Sequence, residues 1–272
     1  MAEEIDKKYL KEKQYKSTKY LEARIKIHKF TENKFSFHEW IFSKYNLEMF
    51  NSREINILDI GCGTGIFWKQ NIDKLKNVKF ILTDFSESMI NKSKENLPNY
   101  LDRIKFELAE VEDLKKYFGK FDIVLCHNVI YHAEDKDLAI KNLVSCLNNN
   151  SDSFLSITTN SEKHMLNVYD IGKHLDKNFP TDRIIDGFTE EIADKILPKH
   201  VNFEKIVEDE RLKITDLDIL VDYVASGVEP RNIKLKPNFY DQYRQIAEKE
   251  IQTKGFFEII KRSPLYICKK KN

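Results

Sequence analysis

Three glycines at alternate positions follow a short apolar run: residues 57–65 read Ile-Leu-Asp-Ile-Gly-Cys-Gly-Thr-Gly. The apolar run predicts a buried strand, and Gly61, Gly63 and Gly65 predict a sharp turn at its carboxyl end. Glycine has no Cβ, so it tolerates positive φ and lets a ligand approach the backbone closely. Nucleotides bind at this edge of open α/β sheets. The segment therefore predicts a nucleotide-binding turn, with plain chain reversal as the alternative.

The spacing of the glycines restricts the nucleotide. A dinucleotide fingerprint, G-x-G-x-x-G, needs a third glycine where Ile66 or Trp68 stands, and no Lys-Ser/Thr pair follows to form a phosphate loop. The observed D-x-G-x-G-x-G resembles the first motif of class I S-adenosylmethionine-dependent methyltransferases. That cofactor has no phosphate but carries an ammonium, which a carboxylate can face directly or through water. The resemblance implies a cofactor-binding turn made of Asp59, Gly61, Cys62, Gly63 and Gly65.

A second carboxylate, Asp84, ends the next predicted strand. It lies nineteen residues after Gly65, near the offset of about 20 at which an acidic residue reaches the ribose hydroxyls. A carboxylate can accept both protons of a cis-diol. The alternative role, capping the following helix, suits Ser86 better. Similar enzymes with a D-x-S-x-x-M pattern imply that Phe85 and Met89 pack on the adenine, although both side chains also suit plain core filling.

The segment after the third predicted strand offers partners for the adenine edge. Adenine needs one acceptor for its amino group and one donor for N1. In methyltransferases of this type a carboxylate and the next backbone N–H often supply them, which implies this role for Glu110 with Val111. Glutamate stands here where the family commonly has aspartate, and Glu112 is the alternative source of the carboxylate.

The fourth predicted strand ends in polar residues that are the best candidates for chemistry. By similarity, His127 lies beside the sulfonium arm of the cofactor. Tyr131 and His132 are candidates to orient or deprotonate a nucleophile, because histidine titrates near neutral pH. A structural role is the alternative for each histidine, and a base is needed only if the nucleophile arrives protonated. Similar enzymes also imply that a helix carrying Tyr20 and Arg24 closes over the cofactor; an exposed amphipathic helix is the alternative.

Other polar residues add substrate candidates but no metal site. The seven histidines show neither H-x-x-x-H nor two-His-one-carboxylate spacing, so no metal is expected. Four residues at or beyond the end of the fifth predicted strand are further substrate-facing candidates: Thr158, Thr159, Asn160 and His164.

Strand-like and helix-like segments alternate in the middle of the chain and must position these residues. Between the strands, apolar residues at helical spacing predict helices, one of which begins after Asp135. This alternation is typical of a doubly wound parallel α/β sheet. Apolar runs predict five strands, at residues 55–59, 78–83, 104–108, 121–126 and 153–158.

Later segments are expected to complete the sheet. Residues 201–214 predict a sixth strand, and helices are predicted from Thr215 to Gly227 and near residues 238–252. Residues 256–260 and 265–269 predict one broken final strand, with Pro264 at its bulge. The resemblance implies a Rossmann-like, seven-stranded sheet with an antiparallel last strand, covered by a helical cap from the N-terminus and from insertions.

Four regions follow from this organisation. We expect a helical cap over residues 1–50, the S-adenosylmethionine-binding core over 51–160, a helical insertion or lid over 161–200, and the C-terminal part of the core sheet, with a helical insertion, over 201–272.

Composition excludes several classes of protein. The 272 residues carry a formal charge of +1, which gives no electrostatic case for nucleic acid as the main partner. The four cysteines form no C-x-x-C pair, and no apolar span reaches the roughly 18 residues of a membrane helix. A charged N-terminus without an apolar stretch lacks the features of a secretory signal. We therefore expect a cytoplasmic enzyme without membrane attachment.

The expected function is transfer of a methyl group from S-adenosylmethionine, with S-adenosylhomocysteine as the product. The expected acceptor is an O, N or C nucleophile of a small molecule, short peptide or natural product. Two alternatives remain open: a methyltransferase acting on nucleic acid or protein, and a non-catalytic nucleotide-binding or regulatory protein on the same fold. Neither motif nor composition identifies the acceptor.

Overall fold

A computed structural model describes residues 20, 23–24, 26–45, 53–180 and 187–271. Within these ranges the strands are β1 Ile55–Ile60, β2 Val78–Asp84, β3 Ile104–Leu108, β4 Ile123–His127, β5 Phe154–Thr158, β6 Val201–Ile206, β7 Asp209–Ile214, β8 Phe257–Arg262 and β9 Leu265–Lys270. The α-helices are α1 Phe37–Ser43, α2 Ile66–Asn71, α3 Glu87–Asn96, α4 Lys136–Cys146, α5 Leu166–Leu175, α6 Glu190–His200, α7 Leu217–Val228 and α8 Phe239–Lys254.

The chain divides into two compact units. The sheet unit consists of Lys34–Ser161, Asp186–Val207 and Ser263–Asn272. The appended unit consists of Met1–Asn33, Glu162–Ile185 and Glu208–Arg262. Of the predicted 161–200 insertion, α5 belongs to the appended unit and α6 to the sheet unit.

The sheet unit contains a seven-stranded sheet in the order β3-β2-β1-β4-β5-β9-β6. Strands β1 to β5 pair in parallel, and β9 is antiparallel to both of its neighbours. The predicted doubly wound sheet with an antiparallel last strand is thereby confirmed. The strand order reverses between β1 and β4, which is the position where open α/β sheets bind ligands at their carboxyl ends.

Both faces of this sheet are buried, which explains why its strands are continuous apolar runs. Successive side chains of a strand point to opposite faces. Ile57 accordingly packs with Phe67 and Trp68 of α2, whereas Leu58 packs in a second cluster with Ile140 of α4. Helix α4 begins as predicted, because the Asp135 side chain accepts the backbone N–H of Leu138 at 2.9 Å.

Two strand predictions at the end of the chain are wrong. Residues 201–214 form two strands in different sheets: β6 joins the large sheet, while β7 pairs with β8 in a two-stranded sheet. The predicted broken final strand likewise divides into β8 and β9, which belong to different sheets. Pro264 lies between β8 and β9, where its missing N–H helps to end the ladder. The chain passes between the two units at both breaks.

The appended unit has its own core, to which the two-stranded β7–β8 sheet contributes. Leu212 and Ile214 of β7 and Phe257 of β8 are buried against apolar residues of the helices. Helix α7 begins at Leu217, after the N-cap Asp216, whose side chain accepts two backbone N–H groups, and it ends one residue beyond Gly227, the predicted stop. Most of the predicted N-terminal cap, residues 1–19 and 46–50, lies outside the described residues.

Candidate functional site

The glycine loop is tied to the end of β2. Backbone N–H groups of Gly61 and Cys62 both donate to the carbonyl of Thr83, each at 2.8 Å, and all three loop glycines have positive φ. The Val129 side chain occupies the space that a Cβ on Gly61 would need, and Ser93 does the same at Gly65. Internal packing therefore requires glycine at these two positions.

Gly63 differs from its two neighbours in this loop. Its φ is 55°, and a Cβ placed on it would meet no protein atom within 4 Å. Positive φ alone makes a side chain unfavourable there. The space beside Gly63 is open, so a ligand can approach the backbone at this point without displacing protein atoms.

Asp84 braces the glycine loop from the end of β2. Its carboxylate accepts the N–H of Gly63 at 3.0 Å and the N–H of Ser86 at 2.9 Å. Burial raises the pKa of this carboxyl, although the backbone N–H groups oppose that shift. Ser86 stands at the N-cap of α3 but bonds Ser88 through its hydroxyl rather than a backbone N–H. The backbone N–H of Phe85 is a third partner, so about one of the four lone-pair sites of the Asp84 carboxylate remains for a ligand.

Asp59 lies in β1 with only 4 % of its surface exposed. Its carboxylate accepts the indole N–H of Trp68 at 2.7 Å. Burial raises the pKa of Asp59 to about 7, with a smaller contribution from the negative charge of Asp84, while the Trp68 bond lowers it. An incoming cation would stabilise the ionised carboxylate. Trp68 stands out in the sequence only as an apolar helix residue, so its role as partner of Asp59 comes from the fold.

The predicted adenine-binding residues lie beyond β2 and β3. Phe85 and Met89 are half-buried, Glu110 is exposed and Val111 is buried. The alternative carboxylate, Glu112, accepts backbone N–H groups at the entrance to α4, from Glu134 at 3.1 Å and Asp135 at 3.0 Å. This structural use of Glu112 favours Glu110 for a ligand.

His127 closes β4 within a polar network. Its Nε2 lies 2.9 Å from the hydroxyl oxygen of Ser156 and 3.3 Å from that of Tyr45, and Tyr45 donates to Ser156 at 2.8 Å. Burial, with a smaller effect of the His38 charge, lowers the pKa of His127 to about 3. The imidazole is therefore neutral at physiological pH and a weak base.

Tyr131 and His132 lie together on a 3-10 turn just after β4. Their ring centroids are 4.3 Å apart, and the ring of Phe85 lies 6.5 Å from that of His132. The structure thus brings the segment after β2 next to the segment after β4. Gly187 packs against Tyr131, since a Cβ there would approach the Tyr131 Cβ to 2.8 Å.

Asn128 does not stand out in the sequence, yet its structure is unusual. It is a non-glycine residue with a φ of 56°, and its buried side-chain oxygen has no hydrogen-bond partner among the described residues. The buried hydroxyl of Thr158, at the end of β5, also lacks such a partner there. The only sequence signal is the residue type, because asparagine adopts positive φ more readily than most residues.

Other predicted site residues bond within their own units. Tyr20 donates to Glu229 at 3.0 Å, and Arg24 donates to the carbonyl of Ser226 at 2.9 Å, both in the appended unit. Thr159 donates to the carbonyl of Phe188 in the sheet unit.

Two more candidates after β5 are also bonded within their units. The side-chain oxygen of Asn160 accepts from the Ser263 hydroxyl at 2.6 Å in the sheet unit. His164, in the appended unit, has its Nδ1 3.2 Å from the carbonyl of Arg262, and burial lowers its pKa to about 3.

Neither a metal cluster nor a membrane span was found in the part of the chain that the structure describes. No three His, Cys, Asp or Glu side chains converge there, and none of its helices is both long and apolar enough to cross a bilayer.

Comparison with known proteins identifies the family. A family model described as "Methyltransferase domain" matches residues 51–205, which is more than half of the chain. The chain belongs to the class I S-adenosylmethionine-dependent methyltransferases. This family agrees with the enzyme class and with the methyl donor, S-adenosylmethionine, that the sequence predicts.

Individual relatives match only part of this methyltransferase. A tRNA U34 carboxymethyltransferase of Campylobacter jejuni is 36% identical over 123 residues, which cover 43% of this chain and 41% of the relative. A ubiquinone biosynthesis O-methyltransferase of Coxiella burnetii is 27% identical over 125 residues, covering 45% of this chain and 52% of the relative. The aligned segments thus span about half or less of these relatives.

One solved structure extends the likeness of this methyltransferase to nearly the whole chain. Phosphoethanolamine N-methyltransferase 2 of Haemonchus contortus, solved with S-adenosyl-L-methionine, superimposes with a TM-score of 0.57 and 18% identity. The match covers 97% of this chain and 60% of the other. At this identity the likeness concerns the fold.

Proposed function

We propose that this methyltransferase transfers a methyl group to an O or N nucleophile of a small molecule or short peptide. The observation that carries the proposal is the contact between Gly61 and Val129, which joins the glycine loop after β1 to the segment after β4. Donor-binding and acceptor-facing residues then share one crevice at the strand-order reversal. Residues 127–132 in that crevice include neither lysine nor arginine, which favours a compact acceptor over a phosphate backbone.

The residues around the glycine loop suit the parts of S-adenosylmethionine. Open space beside Gly63 admits the cofactor backbone, and the buried Asp59 carboxylate suits its ammonium. We assign the ribose hydroxyls to Asp84, whose carboxylate keeps acceptor capacity beyond its bonds to backbone N–H groups. We assign the adenine to the group after β2 and β3, namely Phe85, Met89, Glu110 and Val111.

When bound, S-adenosylmethionine supplies a methyl carbon already activated by the sulfonium. The side chains of the crevice have to hold the nucleophile in line with that carbon and exclude water. His132 and Tyr131 are placed to orient the nucleophile, and His132 is the candidate to accept its proton. His127 is too weak a base for that step, because burial lowers its pKa to about 3.

A second candidate acceptor is RNA. The relatives named tRNA U34 carboxymethyltransferase support it, and so does a basic groove of about 630 Å³ in the appended unit. Four lysines line the groove: Lys173, Lys177, Lys234 and Lys236. Its one acidic residue, Asp176, is buried and accepts the backbone N–H groups of Asn178 at 2.9 Å and Lys236 at 2.8 Å. Positive charge is thus concentrated in this groove, although the formal charge of the whole chain is only +1.

One labelling experiment separates the two acceptors. The full-length chain is incubated with methyl-labelled S-adenosylmethionine and with two cell fractions, one of small metabolites and short peptides and one of total RNA. We expect label in the first fraction and none above background in RNA. Label confined to RNA would overturn the small-molecule proposal and establish the second candidate.

Two control variants accompany that experiment. Asp84→Asn weakens donor binding and should lower labelling of whichever acceptor is genuine. The double variant Lys177→Glu, Lys234→Glu reverses charge in the basic groove, so it should lower labelling only if the acceptor is RNA, whose binding depends on phosphate contacts.

A further inference from the structure

The backbone at Asn128 is held in a conformation that most residues avoid. Its φ is 56°, and its N–H donates to the carbonyl of Thr158 at 3.0 Å, which extends the β4–β5 ladder by one residue. Left-handed backbone at a non-glycine residue persists only where the surroundings enforce it, and such residues cluster at ligand sites. The backbone conformation of Asn128 is thus of the kind found at ligand sites.

The side-chain oxygen of Asn128 is buried without a donor among the described residues. Nearly all buried polar atoms in folded proteins have a partner, because burying one without a hydrogen bond costs free energy. A carboxamide oxygen can only accept, so the missing partner is an N–H or O–H group. Thr158 is next to Asn128 across the ladder, and its buried hydroxyl also lacks a hydrogen-bond partner among the described residues.

The side chain of His127, which precedes Asn128, already makes hydrogen bonds. His127 bonds to Ser156 and Tyr45 through its Nε2. Val129, on the other side, packs against Gly61 of the glycine loop. Asn128 therefore follows a histidine that is already hydrogen-bonded and precedes the residue that packs on the proposed donor-binding loop. It lies at the carboxyl end of β4, where the strand order reverses.

We propose that the side-chain oxygen of Asn128 accepts a hydrogen bond from the nucleophile of the methyl acceptor. This proposal rests on the proposed function and narrows it: the acceptor carries a hydroxyl or an N–H, rather than a tertiary amine, a thioether or a carbon nucleophile. The bond orients the nucleophile's lone pair toward the methyl carbon. As the new bond to carbon forms and the carbon–sulfur bond breaks, the proton leaves for His132 or water, because an amide oxygen is too weak a base to keep it.

The test uses a cofactor analogue and needs no knowledge of the acceptor. Sinefungin carries an amine on carbon in place of the methylated sulfur, so its N–H groups lie near the position of the transferred methyl. We expect the wild-type protein to bind sinefungin more tightly than S-adenosylhomocysteine in calorimetric titrations. Asn128→Gly tolerates the left-handed backbone but lacks the acceptor, and should reduce that preference roughly tenfold, the effect of one hydrogen bond to a charged group. Affinity for S-adenosylhomocysteine should stay within about twofold.

Asn128→Asp restores an acceptor and should restore the preference for sinefungin. A matched control is Asn232→Gly, at another left-handed asparagine, in the appended unit; it should leave both affinities unchanged. Equal weakening of both ligands by Asn128→Gly, or an unchanged preference, would overturn the proposal. Failure of the wild-type protein to bind either ligand would instead count against the proposed function.

Discussion

Two buried aspartates perform the same structural task in the two units. In the sheet unit, Asp84 accepts backbone N–H groups from Gly63 and Ser86; in the appended unit, Asp176 accepts them from Asn178 and Lys236. Their pKa values nevertheless shift in opposite directions. Burial raises the pKa of Asp84, whereas the backbone bonds, helped by the charges of neighbouring lysines, lower that of Asp176.

The difference reflects the surroundings of the two carboxylates. Two backbone N–H groups and the charges of Lys236 and Lys177 favour the ionised form of Asp176 and so lower its pKa. Asp84 is buried beside a second carboxylate, Asp59, and neither has a cationic side chain among the causes of its shift. Buried carboxylates with raised pKa values in a cleft indicate a functional site. The same geometry thus belongs to the proposed cofactor site in the sheet unit, whereas in the appended unit it shapes the lining of the basic groove.

The strongest test of this comparison is a side chain at Gly63. We expect Gly63→Val to lower affinity for S-adenosylmethionine roughly 100-fold, about 2.7 kcal/mol, because it fills the space assigned to the ligand. Calorimetric titration measures this affinity in the variant and in the wild-type protein. Gly119→Val is the matched control, since Gly119 also has positive φ and open space around it but lies before β4. Equal loss of affinity in both variants would mean that backbone strain, not the ligand space, is responsible.

A smaller effect is expected from removing each aspartate in turn. Asp84→Ala and Asp176→Ala should each lower the free energy of unfolding by about 1–3 kcal/mol, because buried N–H groups lose their acceptor. Only Asp84→Ala should also weaken S-adenosylmethionine binding, by about tenfold, through lost bonds to the ribose. Denaturant unfolding and calorimetry measure the two quantities. Unchanged affinity in Asp84→Ala would remove the ribose assignment and make the two loops equivalent.

The smallest expected effect is a dependence of binding on pH. The pKa of Asp59 is raised to about 7 without ligand, and a bound ammonium should lower it by stabilising the charged form. Affinity for S-adenosylmethionine should therefore fall roughly fivefold to tenfold between pH 7.5 and 6.

Asp59→Asn supplies the reference for that pH dependence, since titration of the cofactor itself affects both proteins equally. The ratio of the two affinities should vary with pH. For the ligand-free protein the sign is opposite: a raised carboxyl pKa means that the contribution of Asp59 to folding stability declines as pH rises from about 4 to 7. If the ratio of wild-type to Asp59→Asn affinity stays constant between pH 7.5 and 6, Asp59 does not contact the ammonium.

Local patterns were enough to predict most of the sheet unit. The five parallel strands are uninterrupted apolar runs because both faces of the sheet are covered, and each predicted strand lies within two residues of the observed one. The glycine spacing predicted the loop after β1, since positive φ at Gly61, Gly63 and Gly65 leaves few other residues possible.

The appended unit was much less predictable, because three separate segments build it. The break between β6 and β7 at residues 207–208 contains neither glycine nor proline, so residues 201–214 resemble one strand. Pro264 does mark the break between β8 and β9, but it does not show that the two strands join different sheets. Near the site, Asn128 bonds to β5 and its neighbour Val129 packs against Gly61, and no local pattern records either contact.

The position of β9 has a consequence for the order in which this methyltransferase folds. β9 follows the other described strands along the chain, yet it lies inside the large sheet, and β6 has no other partner strand there. As the chain leaves the ribosome, β1 to β5 can pair at once, complete with the glycine loop and the segment after β4. β6 must wait until β9 has been made, and the long sequence separation of that pairing slows it. The proposed cofactor site is therefore expected to form during synthesis, before the sheet is complete.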